Sequence, residues 1–232
     1  MTRWDISPFE PEGLRVAPLR PPVLPEPPRH GEDPSNCDAC RDRGDGIWLN
    51  DSWRLTRITG VGVPLVLMLH PREHYDMADL PDELAAELGV LSTHNVRHVQ
   101  ALPHISRAHV YRTGDGGAHL HICFFARPEG QTQLRGSWMP VWDDLLPEYP
   151  ADVAAADAAI VADALVASIG GRRSAAGEST HDCSLAALPR RSWLGEDPGS
   201  EKFKRGTAIH RALTTRSAIE AGACLPGGSA GL

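Results

Sequence analysis

GGAHLHICFF, residues 116–125, sets two histidines one residue apart inside an apolar run. Successive side chains of a strand point to opposite faces of a sheet, so His119, His121 and Cys123 share one face and Leu120, Ile122 and Phe124 share the other. The second face predicts a core. The first carries imidazoles that need a reason: a reaction centre, a metal site, or histidines satisfied by hydrogen bonds. Positions two apart on a strand have Cα atoms roughly 6.6–7 Å apart, so one ring can bind a metal while its neighbour stays free. The stretch reads as the return strand of a hairpin in which SRAHVYR (106–112) and AHLHICFFA (118–126) are joined by TGDGG (113–117). Its glycines accept backbone shapes that other residues resist.

Outward from this hairpin the chain alternates strand and helix signals. IWLNDSWRL (47–55) predicts another hairpin, with Asn50-Asp51 suited to the positive φ of a tight turn. PLVLMLH (64–70) is apolar on both faces and predicts a central strand. A helix is expected over 82–99, capped by Asp79, with Pro81 near its first turn and Leu84, Leu88, Leu91 and Val99 on its apolar face. GQTQLRGSWMPVWDDLLP (130–147) fits a short strand and a helical turn. ADVAAADAAIVADALVASI (151–169) predicts a helix with Val153, Ile160, Val161 and Leu165 on one side and Gly170-Gly171 ending it.

The flanks differ from this body. Eight prolines fall in the first thirty positions, so residues 1–36 are expected to form an extended polyproline-like arm, with Trp4 and Phe9 as its latches. Beyond residue 171 the apolar residues keep no period and the charge reverses, from 14 basic against 24 acidic residues up to that point to 9 against 6 after it. Residues 172–232 are expected to be largely disordered, leaving 37–171 as the folded domain. The net charge of −7 excludes a surface built to coat nucleic acid. The longest apolar stretch, VGVPLVLML (61–69), is far short of the roughly 20 residues a membrane span needs. The N-terminus lacks the basic-then-apolar order of a signal peptide, and five cysteines, an odd count, fit a reducing, cytoplasmic setting.

CDAC (37–40) is a Cys-x-x-Cys knuckle, a spacing that turns two thiolates toward one metal. A redox pair would open a helix after a strand, whereas here loop-forming residues stand on both sides, which favours zinc. Tetrahedral zinc then needs two more ligands, from His70, His74, His119 and His121. A finger-like set with His70 and His74 is disfavoured by the long separation of the two pairs. His94 and His98, four apart on a helix without a carboxylate in register, read as exposed or interface residues. His109 is a pocket residue or a cross-strand neighbour, and His104 falls in a loop. Trp138 and Trp142 stack on a base or simply pack, with packing favoured. Arg112, Arg127 and Arg135 are phosphate contacts by charge alone and otherwise solvated.

HLHICFF resembles the His-φ-His-φ-His-φ-φ signature of the histidine-triad superfamily. LHPREHYDMADLPDEL (69–84) is similar to that family's strand-turn segment leading into a helix, and CDAC to the first half of the zinc site of many bacterial members and of the related galactose-1-phosphate uridylyltransferases. The resemblance covers about residues 37–130. It implies an α+β fold, an antiparallel sheet of about five strands with packed helices. It also implies zinc ligands Cys37, Cys40, His74 and His119, with His70 as fallback for His74. His121 becomes the nucleophile that takes the α-phosphate of a nucleotide conjugate as a covalent nucleotidyl-imidazole, in a hydrolase or a transferase. Backbone amides around Gly116 and Gly117, with Thr113, would meet the phosphate. Many members dimerise by extending the sheet, so a homodimer is one implied state. Two departures stand out: Cys123 occupies the third signature position, where hydrolases carry histidine and transferases glutamine, and GDGGA offers only Thr113 and Asp115 where the family often shows polar partners.

Overall fold

The computed structural model describes residues 4–10, 12, 14–174 and 178–179. After a helical turn α1 (Asp38–Arg41), the chain forms β1 (Trp48–Leu49), β2 (Trp53–Ile58), β3 (Val66–Pro71), α2 (Asp82–Gln100), β4 (Ile105–Tyr111), β5 (Ile122–Pro128), α3 (Met139–Leu145), α4 (Ala151–Ile169), β6 (Arg172–Arg173) and β7 (Glu178–Ser179). The sheet runs β4-β5-β3-β2-β1-β6, antiparallel throughout, with β7 joining parallel to β2. This is the expected α+β architecture, with two short strands added after α4. Arg172–Arg173 continues the sheet past residue 171; most of the expected C-terminal tail lies outside the described residues.

Residue alternation builds two cores. Leu65 just before β3, Leu67 and Leu69 of β3, and Ile122, Phe124 and Ala126 of β5 meet Leu88, Leu91 and Val99 of α2 and Ala158, Val161 and Leu165 of α4. Each such fully buried leucine contributes about 1.5–3 kcal/mol relative to exposure. On the other face Val66, Met68, Cys123 and Phe125 meet Val63, Leu134 and Met139. Strand β3, buried at every position and central, is as the sequence predicts.

Local chemistry corrects several expectations. No described non-glycine residue has positive φ, so the 47–55 hairpin closes by another device. The Asn50 carboxamide oxygen accepts from the Ser52 and Trp53 amides at 3.0 and 2.6 Å, and the side chain thereby replaces an Asn-Asp tight turn. Helix α2 starts with Pro81, not Asp79, at its N-cap and has no side-chain cap. Ile160 is 56% exposed, and the buried side of α4 is instead Ala154, Asp157, Ala158, Val161, Ala162 and Leu165. The segment 130–147 holds a 3-10 turn at Gly136–Trp138 and α3 but no strand. Phe9 latches the arm as expected, edge-on to Trp138 with centroids 6.0 Å apart, and the Trp142 indole donates to the Ile6 carbonyl at 2.9 Å; both tryptophans pack. No helix among the described residues is long and apolar enough to cross a membrane.

Candidate metal centre and nucleophile

The largest departure lies in the 116–125 stretch itself. β4 pairs with β5 from Ile105↔Pro128 to Tyr111↔Cys123, so His119 and His121 precede the strand in a loop of residues 112–121. The backbone there bonds elsewhere: the Ala118 amide donates to the His30 carbonyl at 2.9 Å and the Leu120 amide to the Tyr75 carbonyl at 2.7 Å. Gly117 forms a parallel bridge with His30. The arm and the 72–80 segment, rather than β4, thus set where the two imidazoles point. The glycines of TGDGG take no positive φ. A side chain at Gly116 would meet open space, and one at Gly117 only the His30 carbonyl at 3.9 Å.

Cys37, Cys40, His74 and His119 come together, their ligand atoms all within 4.8 Å of one another. Cys37 caps the single turn α1, so the knuckle is a short helix rather than bare loop. The Cys40 sulfur lies 3.2 Å from His74 Nδ1 and 3.6 Å from His119 Nδ1, and the Cys37 sulfur 3.5 Å from His119 Nδ1. With Zn–S near 2.3 Å and Zn–N near 2.0–2.1 Å, a tetrahedral site has S···N edges of about 3.5 Å. The donor set therefore fits zinc. A backbone contact fixes the orientation of the His119 ring, whose Nε2–H donates to the Pro71 carbonyl at 2.9 Å and so leaves the Nδ1 lone pair facing both sulfurs. Burial, first of all, lowers the His119 pKa from 6.5 to about 4, so the ring is neutral near pH 7. Burial pushes the Cys37 thiol up.

His121 is in a different state. It is half-buried, and its Nδ1 lies 3.0 Å from the His119 carbonyl oxygen. A carbonyl only accepts, so the neutral ring carries its proton on Nδ1 and its Nε2 lone pair is open for chemistry. His70, buried on β3, has its ring centroid 6.5 Å from that of His121 and lies outside the four-ligand cluster, so His74 and not the fallback fills that place. Cys123 is 6% exposed, opposite Met68 and Tyr111 and packed in the second core. Thr113 and Asp115 are exposed in the loop.

Remaining sequence candidates have structural partners. Arg112 bonds to Asp76, Arg127 to the Ser106 hydroxyl at 3.0 Å, and Arg135 lies 3.6 Å from Asp5. His98 lies 2.9 Å from the Ser168 hydroxyl, linking α2 to α4, and His104 lies 2.9 Å from Asp157. His109 is a cross-strand neighbour of Phe125. Sequence reasoning missed Asp76, which accepts from Arg29 at 2.8 Å, from Arg112 and from the Met77 amide. Arg29 also donates to the Gly114 carbonyl at 2.9 Å, so one carboxylate ties the arm, the 72–80 segment and the histidine loop together. Burial works to raise that carboxyl, and the hydrogen bonds from Arg29, Met77 and Arg112 overcome it and hold it below its usual range. Nothing in a single sequence singles out one aspartate among many for such a role.

No protein-family model matches the sequence, and no curated protein does. Solved structures to which it is similar include three histidine-triad or Hit-like proteins. A zinc-bound family member from Mycobacterium smegmatis is 15% identical, covering 52% of this chain and 83% of its own, with a TM-score of 0.37. A Hit-like protein involved in cell-cycle regulation from Bartonella henselae is 14% identical over 52% and 85%, with a TM-score of 0.40. A hypothetical histidine triad nucleotide-binding protein from Sulfolobus tokodaii is 15% identical over 58% and 97%, with a TM-score of 0.42.

Proposed function

We propose that this protein is a histidine-triad-type nucleotide hydrolase or transferase acting at the α-phosphate of a nucleotide conjugate through His121, with Cys37, Cys40, His74 and His119 holding a structural zinc. The observation that carries the reading is the division of labour between adjacent imidazoles. His119 is locked by the Pro71 carbonyl on one side and two sulfurs on the other, while His121 keeps one nitrogen for a ligand. When bound, zinc would fix the position of His119 and supply no activated water, because all four places of a tetrahedral site are taken by the protein.

His121 Nε2 bonds to the α-phosphorus as the bond to the leaving group breaks, and the leaving group departs with that electron pair. The ring then carries a positive charge, which the Nδ1–H bond to the His119 carbonyl stabilises. Water or another acceptor next bonds to phosphorus, the P–N bond breaks, and the acceptor's proton passes to solvent; water as acceptor is the preferred outcome. The amides around Gly116 and Gly117, with Thr113, are the proposed phosphate contacts, since the open space at Gly116 lets a ligand approach the backbone.

A second reading, a zinc-stabilised nucleotide-binding protein with little turnover, is favoured by Cys123. Its side chain is buried in the second core, at the position where the resemblance leads one to expect a histidine or glutamine facing the leaving oxygen. Incubation with dinucleoside polyphosphates, nucleoside phosphoramidates and sugar nucleotides, followed by mass spectrometry, separates the two. The enzyme gives an acid-labile adduct on His121 that is absent in His121→Ala. Micromolar nucleotide binding with neither adduct nor product establishes the binder.

A further inference from the structure

Residues 14–23 of the arm, LRVAPLRPPV, form no helix, strand, turn or bend, and every one of them is exposed. Val16 is 100% and Leu19 98% exposed, so large apolar side chains stand in water. The segment is nevertheless tied down at both ends. Before it, Phe9 packs edge-on against Trp138; after it, Arg29 donates to Asp76 at 2.8 Å and to the Gly114 carbonyl at 2.9 Å. A strap fixed at both ends and apolar between them is presented rather than packed.

Its conformation follows from its prolines. Pro18, Pro21 and Pro22 have φ held at about −65°, and Ala17, Arg20 and Pro21 each precede a proline and are driven to extended backbone. Of residues 17–22 only Leu19 is unconstrained. The result is the left-handed polyproline II helix, with three residues per turn and a rise of about 3.1 Å per residue. That period sorts the side chains into three ridges. Val16, Leu19 and Pro22 make an apolar one, Arg15 leads Pro18 and Pro21 on the second, and Arg20 stands between Ala17 and Val23 on the third.

We propose that residues 15–23 are a docking segment for a partner protein with an aromatic-lined groove and an acidic rim, the kind of surface that takes polyproline II chains. The groove accepts the two proline-bearing ridges, and carboxylates on its rim meet Arg15 and Arg20, the only charged side chains of the segment. Because the strap is held extended before the partner arrives, it loses little conformational entropy on binding. Two other occupants fit less well. A second copy of this chain would need a vacant aromatic groove, but among the described side chains Trp48 and Trp53 are fully buried, and Trp138 and Trp142 are taken by Phe9 and the Ile6 carbonyl. A lipid surface would strip water from a backbone that makes no internal hydrogen bonds. The proposal stands apart from the nucleotide chemistry of His121 and does not depend on it.

The test uses the full chain, with a purified SH3 domain whose groove is rimmed by Asp and Glu as the probe, and the same domain with those acids changed to Asn and Gln beside it. Calorimetric titration should give saturable one-to-one binding to the acidic form and weaker binding to the neutralised one, and a synthetic peptide of residues 14–23 should displace the chain. Leu19→Asp and Arg15→Glu should each weaken binding by roughly tenfold or more, the loss of one anchor. Both side chains are exposed, so Tm should stay at the wild-type value. No binding to the acidic domain overturns the proposal, as does binding that Leu19→Asp and Arg15→Glu leave unchanged. Self-association in sedimentation that Leu19→Asp abolishes would give the ridge to a second copy, and Leu19-dependent binding to phosphatidylglycerol vesicles would give it to lipid; either overturns the proposal too.

Discussion

The knuckle pocket and the proposed nucleophile face are built on two histidines one residue apart, and they show how differently the same side chain can be used. At His119 both nitrogens are committed, one to the Pro71 carbonyl and one toward sulfur, and burial drives the pKa to about 4. At His121 one nitrogen bonds to the carbonyl of His119 and the ring remains half-exposed. The main-chain oxygen of the buried residue thus sets the tautomer of the exposed one. Rigidity on one side is converted into a defined lone pair on the other, which is what a nucleophile needs before substrate binds.

The sharpest way to break this contrast is to alter each histidine alone. His119→Ala should lose zinc and, with it, about 4 kcal/mol of stability at a thousandfold excess of metal over its dissociation constant. That corresponds to a fall in Tm on the order of 10 °C for a domain of this size. The adduct on His121 should fall with it. His121→Ala should abolish the adduct while leaving zinc content and Tm close to wild type. Metal analysis and calorimetry on the two variants check both arms; equal zinc loss in the two would show that the histidines do not divide their roles.

Acid should act on one side first. A histidine whose folded pKa is below its unfolded value binds more protons unfolded, so in the metal-free chain stability rises with pH between about 4 and 6.5 and is lost on acidification through that window. The ceiling on this effect is about 3 kcal/mol at 1.36 kcal/mol per pKa unit. In the zinc-loaded chain, protons compete with metal for the two thiolates and the two imidazoles together, so zinc affinity should fall as the pH is lowered. Chelator-trapped zinc and Tm followed from pH 7.5 to 4 measure it. A metal-free chain whose Tm does not fall between pH 6.5 and 4 would overturn the depressed pKa of His119.

The parts of the molecule legible in the sequence are those whose signal is periodic or strictly spaced. Strand β3 and helix α2 follow from apolar pattern, and Cys37, Cys40, His74 and His119 from spacing and the resemblance. The rest depends on partners remote in the chain. His119 and His121 are drawn out of β5 by amide bonds to His30 and Tyr75, contacts that no local pattern reveals. By size Ile160 reads as core, yet the small residues Ala154, Ala158 and Ala162 are buried on α4 in its place. By type Arg54 is a solvent-facing strand residue, and only the fold shows it under the knuckle.

The finest test of the contrast is Asp76, which touches neither the cluster nor His121 in any hydrogen bond yet joins Arg29 and Arg112 beside the histidine loop. Asp76→Ala removes the acceptor shared by two guanidinium groups and the Met77 amide, donors that water can largely reach, so it should act on the position of the loop more than on Tm. The loop then loses its tie to the 72–80 segment, but His119 keeps the Pro71 carbonyl and its sulfur neighbours. Zinc content should therefore stay at the wild-type level. The part of the loop proposed to meet phosphate, 113–117, is anchored by Arg29 at Gly114 and by the Gly117–His30 bridge, and the substitution loosens the first of these, so His121 should form its adduct more slowly, by up to about a hundredfold if the loop shifts by an ångström. Single-turnover adduct formation with zinc measured on the same sample reads both quantities. Loss of zinc in Asp76→Ala would mean that the two histidines are held by one device and not by two, and the separation drawn between the pocket and the nucleophile face would have to be given up.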